Sequence, residues 1–218
     1  MASTFKSDTP DGHHKELPII SKIYCDLARE VVLVVRKRPH VVNGGGFVVT
    51  DSTQKILFSV VGCGVLGTQG ELLVSDADRN ALILLRRKGG LVEALGMHRK
   101  WKGYTFDYEG SKRPVFCVKD QVVGSCLVKK NAITVSTVPR RSNKDWDFEI
   151  RGFFPDRDCT IVDHLGNVVA QIGIEEGIDD VTTSNDLYNV TVKPGGDQAF
   201  VIGVVAVLDN IYGESTSS

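Results

Sequence analysis

Basic side chains are the most suggestive chemistry in this sequence. Arg36-Lys37-Arg38 and Arg86-Arg87-Lys88 each end an aliphatic run, and His98-Arg99-Lys100-Trp101-Lys102 follows soon after the second. Lys129-Lys130 and Arg140-Arg141 come later. Successive side chains of an extended chain alternate between faces. Arg86 and Lys88 therefore share one face and Arg87 takes the other. By the same rule Trp101 points into a core while Lys100 and Lys102 point out. Two neighbouring strands would present Arg86, Lys88, Lys100 and Lys102 together. Such a group serves either to protect a sheet edge and keep the chain soluble, or to hold an anion such as a phosphate or lipid headgroup.

Other candidates fail on spacing. Gly62-Cys63-Gly64-Val65-Leu66-Gly67 matches GxGxxG, but a dinucleotide site needs a helix to open there, and Thr68-Gln69-Gly70 leads instead into another strand-like run. His98-Arg99-Lys100 lacks the Asp of a kinase catalytic loop. The acidic groups Asp156-Arg157-Asp158 and Glu175-Glu176-Gly177-Ile178-Asp179-Asp180 lack the alternating ligands of a calcium loop and read as solvated loops. His40, His98 and His164 have no Cys or Asp partner nearby in sequence. No catalytic residue, metal ligand set or cofactor is expected.

Composition narrows the class further. A net charge of −1 over 218 residues argues against broad nucleic-acid binding, which needs many phosphates neutralised at once. The five cysteines (Cys25, Cys63, Cys117, Cys126, Cys159) are an odd number with no CxxC pair, which fits free thiols in a reducing compartment. Residues 1–16 carry no apolar signal-peptide core and read as a disordered leader, with 214–218 a disordered tail. The 17–213 segment between them has no linker and reads as one domain. The expected location is cytoplasmic, with peripheral plasma-membrane or nuclear association as further expectations.

The elements that must position these residues are mostly strands. Phe148-Glu149-Ile150-Arg151 and Tyr188-Asn189-Val190-Thr191-Val192-Lys193 alternate apolar and polar residues, which sets one face on a core and the other in water. Shorter aliphatic runs fill the rest. Asp51, Asp76 and Asp163 each close an incoming strand, and Asn80 and Asn167 follow four residues after the last two. Asp bonds the backbone two residues on, and Asn or Gly tolerates positive φ, so these are hairpin turns. The chain reads as a hairpin meander.

Ala199 to Leu208 breaks the pattern: ten consecutive residues without a polar side chain. Asp197 is a suitable N-cap and Gly213 a C-terminal stop, which predicts a helix rather than a Val-rich strand. Phe200, Val201, Ile202, Val204, Val205, Val207 and Leu208 would line it all round, so it must be buried on every side. It is about ten residues short of a membrane span. A meander with such a helix predicts a barrel closed around it.

The runs Val42-Asn43-Gly44-Gly45-Gly46-Phe47-Val48-Val49-Thr50-Asp51, Leu82-Ile83-Leu84-Leu85-Arg86-Arg87-Lys88, Lys100-Trp101-Lys102-Gly103-Tyr104 and Tyr188 to Phe200 resemble, in order and spacing, the plant LURP-one-related family. The resemblance implies a tubby-like antiparallel barrel of about twelve strands around a C-terminal hydrophobic helix, grouped with phospholipid scramblases and tubby proteins. It implies no catalytic residue and a loose tie to plant pathogen defence. The turn after Asp51 lacks the Gly common in that family's first hairpin. The expectation is a monomeric, non-enzymatic barrel that takes anionic phospholipid on Arg86, Lys88, Lys100 and Lys102. The alternative is a protein–protein scaffold with an unknown partner.

Overall fold

The computed structural model describes residues 18–38, 46–62, 70–88, 98–123, 130–174 and 186–213. Its strands are β1 (Val31–Lys37), β2 (Gly46–Thr50), β3 (Ile56–Gly62), β4 (Glu71–Asp76), β5 (Ala81–Lys88) and β6 (His98–Phe106), then β7 (Lys112–Val123), β8 (Lys130–Thr137), β9 (Phe148–Phe153), β10 (Asp158–Asp163), β11 (Val168–Gly173) and β12 (Leu187–Val192). The helix α1 (Gln198–Gly213) follows. Each strand pairs antiparallel with its sequence neighbour, and β1 pairs with β12 to close the barrel. Closure leaves no strand edge.

Alternation of side chains sends one set of residues inward. Leu33, Val35, Val49, Val60, Val74, Ile83, Leu85, Trp101, Val118, Val135 and Val190 are at most 1% exposed, and they surround α1. Every residue of α1 from Ala199 to Leu208 is buried, so the helix is apolar all round because wall surrounds it on all sides. The helix runs 16 residues, longer than its apolar stretch, because Asp209 and Asn210 continue it and Gly213 is its last residue rather than the stop beyond it. Fully burying each Val, Leu, Ile or Phe contributes about 1.5–3 kcal/mol.

Glycines let helix and wall approach. A Cβ on Gly103 of β6 would lie 2.5 Å from Cε1 of Phe116, and one on Gly203 would lie 3.0 Å from Cδ1 of Ile83 and 3.3 Å from Cζ of Phe116. The Phe116 ring therefore occupies the slot between two glycines, edge-on to Phe200 with ring centroids 5.3 Å apart.

One barrel end, the turn end, is built from repeated Asp turns. The carbonyls of Asp51, Asp76, Asp107 and Asp163 accept from Gln54, Arg79, Gly110 and Gly166, three residues on. Those four acceptors' partners all have positive φ, and the register shifts one pair from the turn in the β2–β3, β4–β5 and β10–β11 hairpins and three pairs in, between Gly103 and Tyr104, in β6–β7. This is a type I turn followed by a left-handed residue and a bulge. The left-handed residue is Arg79, not Asn80. Asn80 instead donates its N–H and Nδ2 to the Asp76 carboxylate, at 2.8 and 2.9 Å. In the first hairpin Gln54, at φ 66°, takes the place where a glycine was expected. Asp107 makes a fourth such turn that the sequence reading passed over.

The same end holds the start of α1. Oδ1 of Asp197 accepts the N–H of Phe200 at 3.1 Å, as an N-cap should. Its Oδ2 accepts the N–H groups of Ile20 at 2.6 Å and Ser21 at 3.2 Å, which draws the N-terminal segment across the barrel end. Burial raises the Asp197 carboxyl above its ordinary range against these hydrogen bonds.

Candidate functional site

The barrel register decides what the basic residues can do together. In the β5–β6 ladder Arg86 faces Lys102, Arg87 faces Trp101 and Lys88 faces Lys100. Trp101 is 1% exposed and points inward, so Lys100 and Lys102 point outward, as do Arg86 and Lys88. All four predicted residues therefore share one patch of the outer face. The β6–β7 ladder extends it: Lys100 faces Lys119, and Lys102 faces Cys117. Lys119 was not singled out from the sequence. The available signal was the alternation about Val118, which is fully buried and turns Cys117 and Lys119 outward.

Three lysines thus stand directly opposite one another on three consecutive strands, Lys88, Lys100 and Lys119, with Lys102 one pleat away. Neighbouring strands lie about 4.8 Å apart and alternate residues of one strand about 6.7 Å apart. Among the described residues no ion pair involves any of these lysines. Arg86 differs: its Nε lies 2.5 Å from Oε1 of Glu71, the residue opposite it on β4. The patch is therefore four lysines with a neutralised arginine at its margin. Burial pushes the Cys117 thiol up, while Lys119, Lys102, Lys100 and Lys88 all pull it down, so the four charges converge around that one position. Thr134 and Ser136 of β8 lie opposite Lys119 and Cys117, and Ser136 is buried, its hydroxyl donated to the carbonyl of Asp145 at 3.0 Å.

Edge protection does not explain this patch, because β5, β6 and β7 are interior strands of a closed barrel. Like charges directly opposite in a ladder destabilise it. An anion laid across them converts that repulsion into attraction.

A second charged group divides. Asp156 and Asp158 are exposed, as a solvated loop requires, but Arg157 between them is only 5% exposed. Its guanidinium carbon lies 4.4 Å from the Phe154 ring centroid and 4.1 Å from that of Tyr188. Its Nη2 is 3.8 Å from Oδ1 of Asp209 on α1, and Nζ of Lys37 is 2.7 Å from the same oxygen. The two rings supply what solvent would have, through cation–π attraction. This cluster ties the end of the helix to the wall. The Glu175–Asp180 cluster, His40 and most of the GxGxxG stretch lie outside the described residues. His164 sits in a hairpin turn, where its carbonyl accepts from Nζ of Lys144 at 2.7 Å. Among the described residues no group of three or more His, Cys, Asp and Glu side chains is placed to hold a metal ion.

Fold and patch together define a closed antiparallel barrel wrapped on a central apolar helix, with a cationic outer face. The sequence profile of the LURP-one-related family matches residues 31–209. The chain is 54% identical over 199 residues to Protein LURP-one-related 6 of Arabidopsis thaliana, covering 91% of this chain and 98% of that relative. It is 46% identical over 205 residues to Protein LURP-one-related 16 of the same plant, covering 91% and 94%. A crystal structure of another Arabidopsis thaliana protein superposes with a TM-score of 0.63 at 20% identity, covering 89% of this chain and 98% of that one. This chain belongs to the LURP-one-related family. No helix among the described residues is long and apolar enough to cross a membrane.

Proposed function

We propose that this protein is a non-enzymatic, membrane-peripheral module that takes anionic phospholipid headgroups on the outer face of β5, β6 and β7, and that it works in plant defence-related signalling. One observation carries the reading: Lys88, Lys100 and Lys119 are directly opposed on interior strands with no acidic partner among the described residues. The non-enzymatic part is supported by an interior that, among the described residues, is packed with apolar side chains. The defence setting rests on the family resemblance alone.

Co-sedimentation with vesicles tests it. Anionic phosphatidylserine-containing vesicles should retain the protein and neutral phosphatidylcholine vesicles should not. Changing Arg86, Lys88, Lys100 and Lys102 together to Glu should abolish retention, and added salt should weaken it in the unmodified protein. Equal sedimentation of the quadruple variant would discard the lipid reading.

The scaffold alternative has its own supporting observation. The turn end carries Ile23 at 86%, Leu27 at 74%, Tyr108 at 110% and Leu165 at 74% exposure; Ser21 caps the turn of Ile23, and Asp26, Asp107 and Asp163 brace the turns of the other three. Exposed apolar side chains on rigid tips suit a protein partner. If the quadruple variant keeps full function in the plant while substitutions of Tyr108 and Leu165 remove it, the scaffold reading replaces the lipid one.

A further inference from the structure

We infer that the lysine patch selects a ligand bearing two or more phosphate groups close together, rather than reading diffuse surface charge. This rests on the anion-binding reading above and specifies its ligand.

The argument is one of spacing and number. Lys88, Lys100 and Lys119 form one row across three strands, about 4.8 Å from strand to strand. Lys102 stands about 6.7 Å from Lys100 along β6. The patch thus holds four positive charges in a footprint only two strand spacings wide and one pleat deep. The backbone ladder fixes the positions from which the side chains reach, so four flexible stems can bring their ammonium groups to one ligand. Arg86 would have enlarged the patch toward β4, but Glu71 neutralises it and bounds the patch on that side. Toward β8 the residues opposite the patch are the uncharged Thr134 and Ser136, and Ser136 is buried with its hydroxyl donated to the carbonyl of Asp145 at 3.0 Å.

A single phosphate group carries a charge of about −1.5 to −2 at neutral pH and three acceptor oxygens. It can satisfy about two of the four lysines and leaves the rest opposed. Two or three linked phosphates match the patch in charge and in length, with one group between Lys88 and Lys100 and the next between Lys100 and Lys119 or Lys102. Dispersed single negative charges on a membrane still attract the lysines, but they match so small a footprint less well. The same chemistry could come from a multiply phosphorylated lipid headgroup or from a free polyphosphate, and the test has an arm for each.

Calorimetry on the full chain with sodium tripolyphosphate, pyrophosphate and orthophosphate at matched ionic strength reads the preference directly. Tripolyphosphate should bind at least about tenfold more tightly than orthophosphate. Lys100→Gln and Lys119→Gln should each weaken it about fivefold, the amount one lysine is worth near an anionic surface. Lys55→Gln, at the opposite barrel end, should leave it unchanged. Circular dichroism on each variant separates lost binding from lost fold. A vesicle arm compares phosphatidylserine with a polyphosphorylated lipid at equal total charge. Preference for the polyphosphorylated vesicle assigns the ligand to the membrane. Tripolyphosphate binding without that preference assigns it to a free polyphosphate, and both results support the inference. If tripolyphosphate binds no tighter than orthophosphate while phosphatidylserine vesicles still bind through the lysines, the inference is overturned and the anion-binding reading survives. If neither binds, both fall.

Discussion

At the scale of single residues, the aspartates do more structural work than the lysines. Asp147 is 1% exposed and accepts four hydrogen bonds: from the N–H and Oγ1 of Thr137 at 2.6 and 2.8 Å, and from the N–H groups of Arg141 and Ser142 at 2.9 and 2.7 Å. Leaving a buried donor unmet costs about 1–3 kcal/mol. Asp147→Ala should therefore lower unfolding free energy by about 3 kcal/mol or more, measured by urea denaturation. The acid dependence follows from the same groups. The Thr53 hydroxyl leads the hydrogen bonds that hold Asp51 below the usual carboxylate range. For Asp76, Asp147 and Asp163 burial pushes upward, but the hydrogen bonds outweigh it and the net shift is downward. A carboxyl lowered by folding stabilises the protein above its unfolded value and stops doing so as the pH falls through its folded value. The raised Asp197 acts the other way: its cost fades as the pH falls toward the unfolded carboxylate value. The melting temperature should hold level or rise slightly on acidification to roughly pH 4, then fall steeply below it. A melting temperature that declines steadily from neutrality would contradict this assignment of signs.

Among the elements, the helix and its wall were legible in different ways. Ten apolar residues in a row between Asp197 and Asp209 admit one solution, burial on all sides, so both the helix and its place could be read from the chain. The hairpins were readable at Asp51, Asp76 and Asp163 because Asp chemistry is local. Their bulges and the left-handed Gln54 and Arg79 were not, because those side chains have no intrinsic preference for positive φ and the closing ladder imposes it. Lys119 and buried Arg157 escaped for a related reason. One joins the patch only through a register three strands wide, and the other is solvated by rings distant in sequence. The packing of α1 supports two expectations. Gly103→Ala drives a methyl into the Phe116 ring, held between Gly103 and Gly203, and overpacking of this kind costs about 1–3 kcal/mol. Thermal unfolding of that variant should show a clear drop, whereas Gly110→Ala, with open space around its Cβ, should lose only what its positive φ costs. Val205→Asp places an unpartnered carboxylate where exposure is 0%, and that chain should fail to fold. A soluble, native circular dichroism spectrum from Val205→Asp would mean that the helix is not the core of the barrel.

For the whole molecule the two functional readings occupy different places, and this gives them distinguishable geometries. Lys88 ends β5 and Lys100 lies near the start of β6, so the lysine patch sits toward the end opposite the Asp turns. The exposed apolar tips Ile23, Leu27, Tyr108 and Leu165 gather at the turn end. A membrane held by the patch therefore leaves the tips facing away. The cysteines report this orientation. Cys117 lies within the lysine patch and is partly exposed; Cys25 lies at the turn end, bridged to Asp197 and also partly exposed; and Cys159 is buried, its thiol pushed up to about 12 chiefly by that burial. All three are free thiols. In single-cysteine variants, a water-soluble maleimide should label Cys25 fastest, Cys117 more slowly and Cys159 only on unfolding, since the thiolate reacts and burial suppresses it. Anionic vesicles should then slow Cys117 labelling severalfold and leave Cys25 unchanged. High salt should restore the Cys117 rate by releasing the protein. Protection of Cys25 with Cys117 untouched would reverse the orientation, and would move the membrane contact from the lysines to the apolar tips.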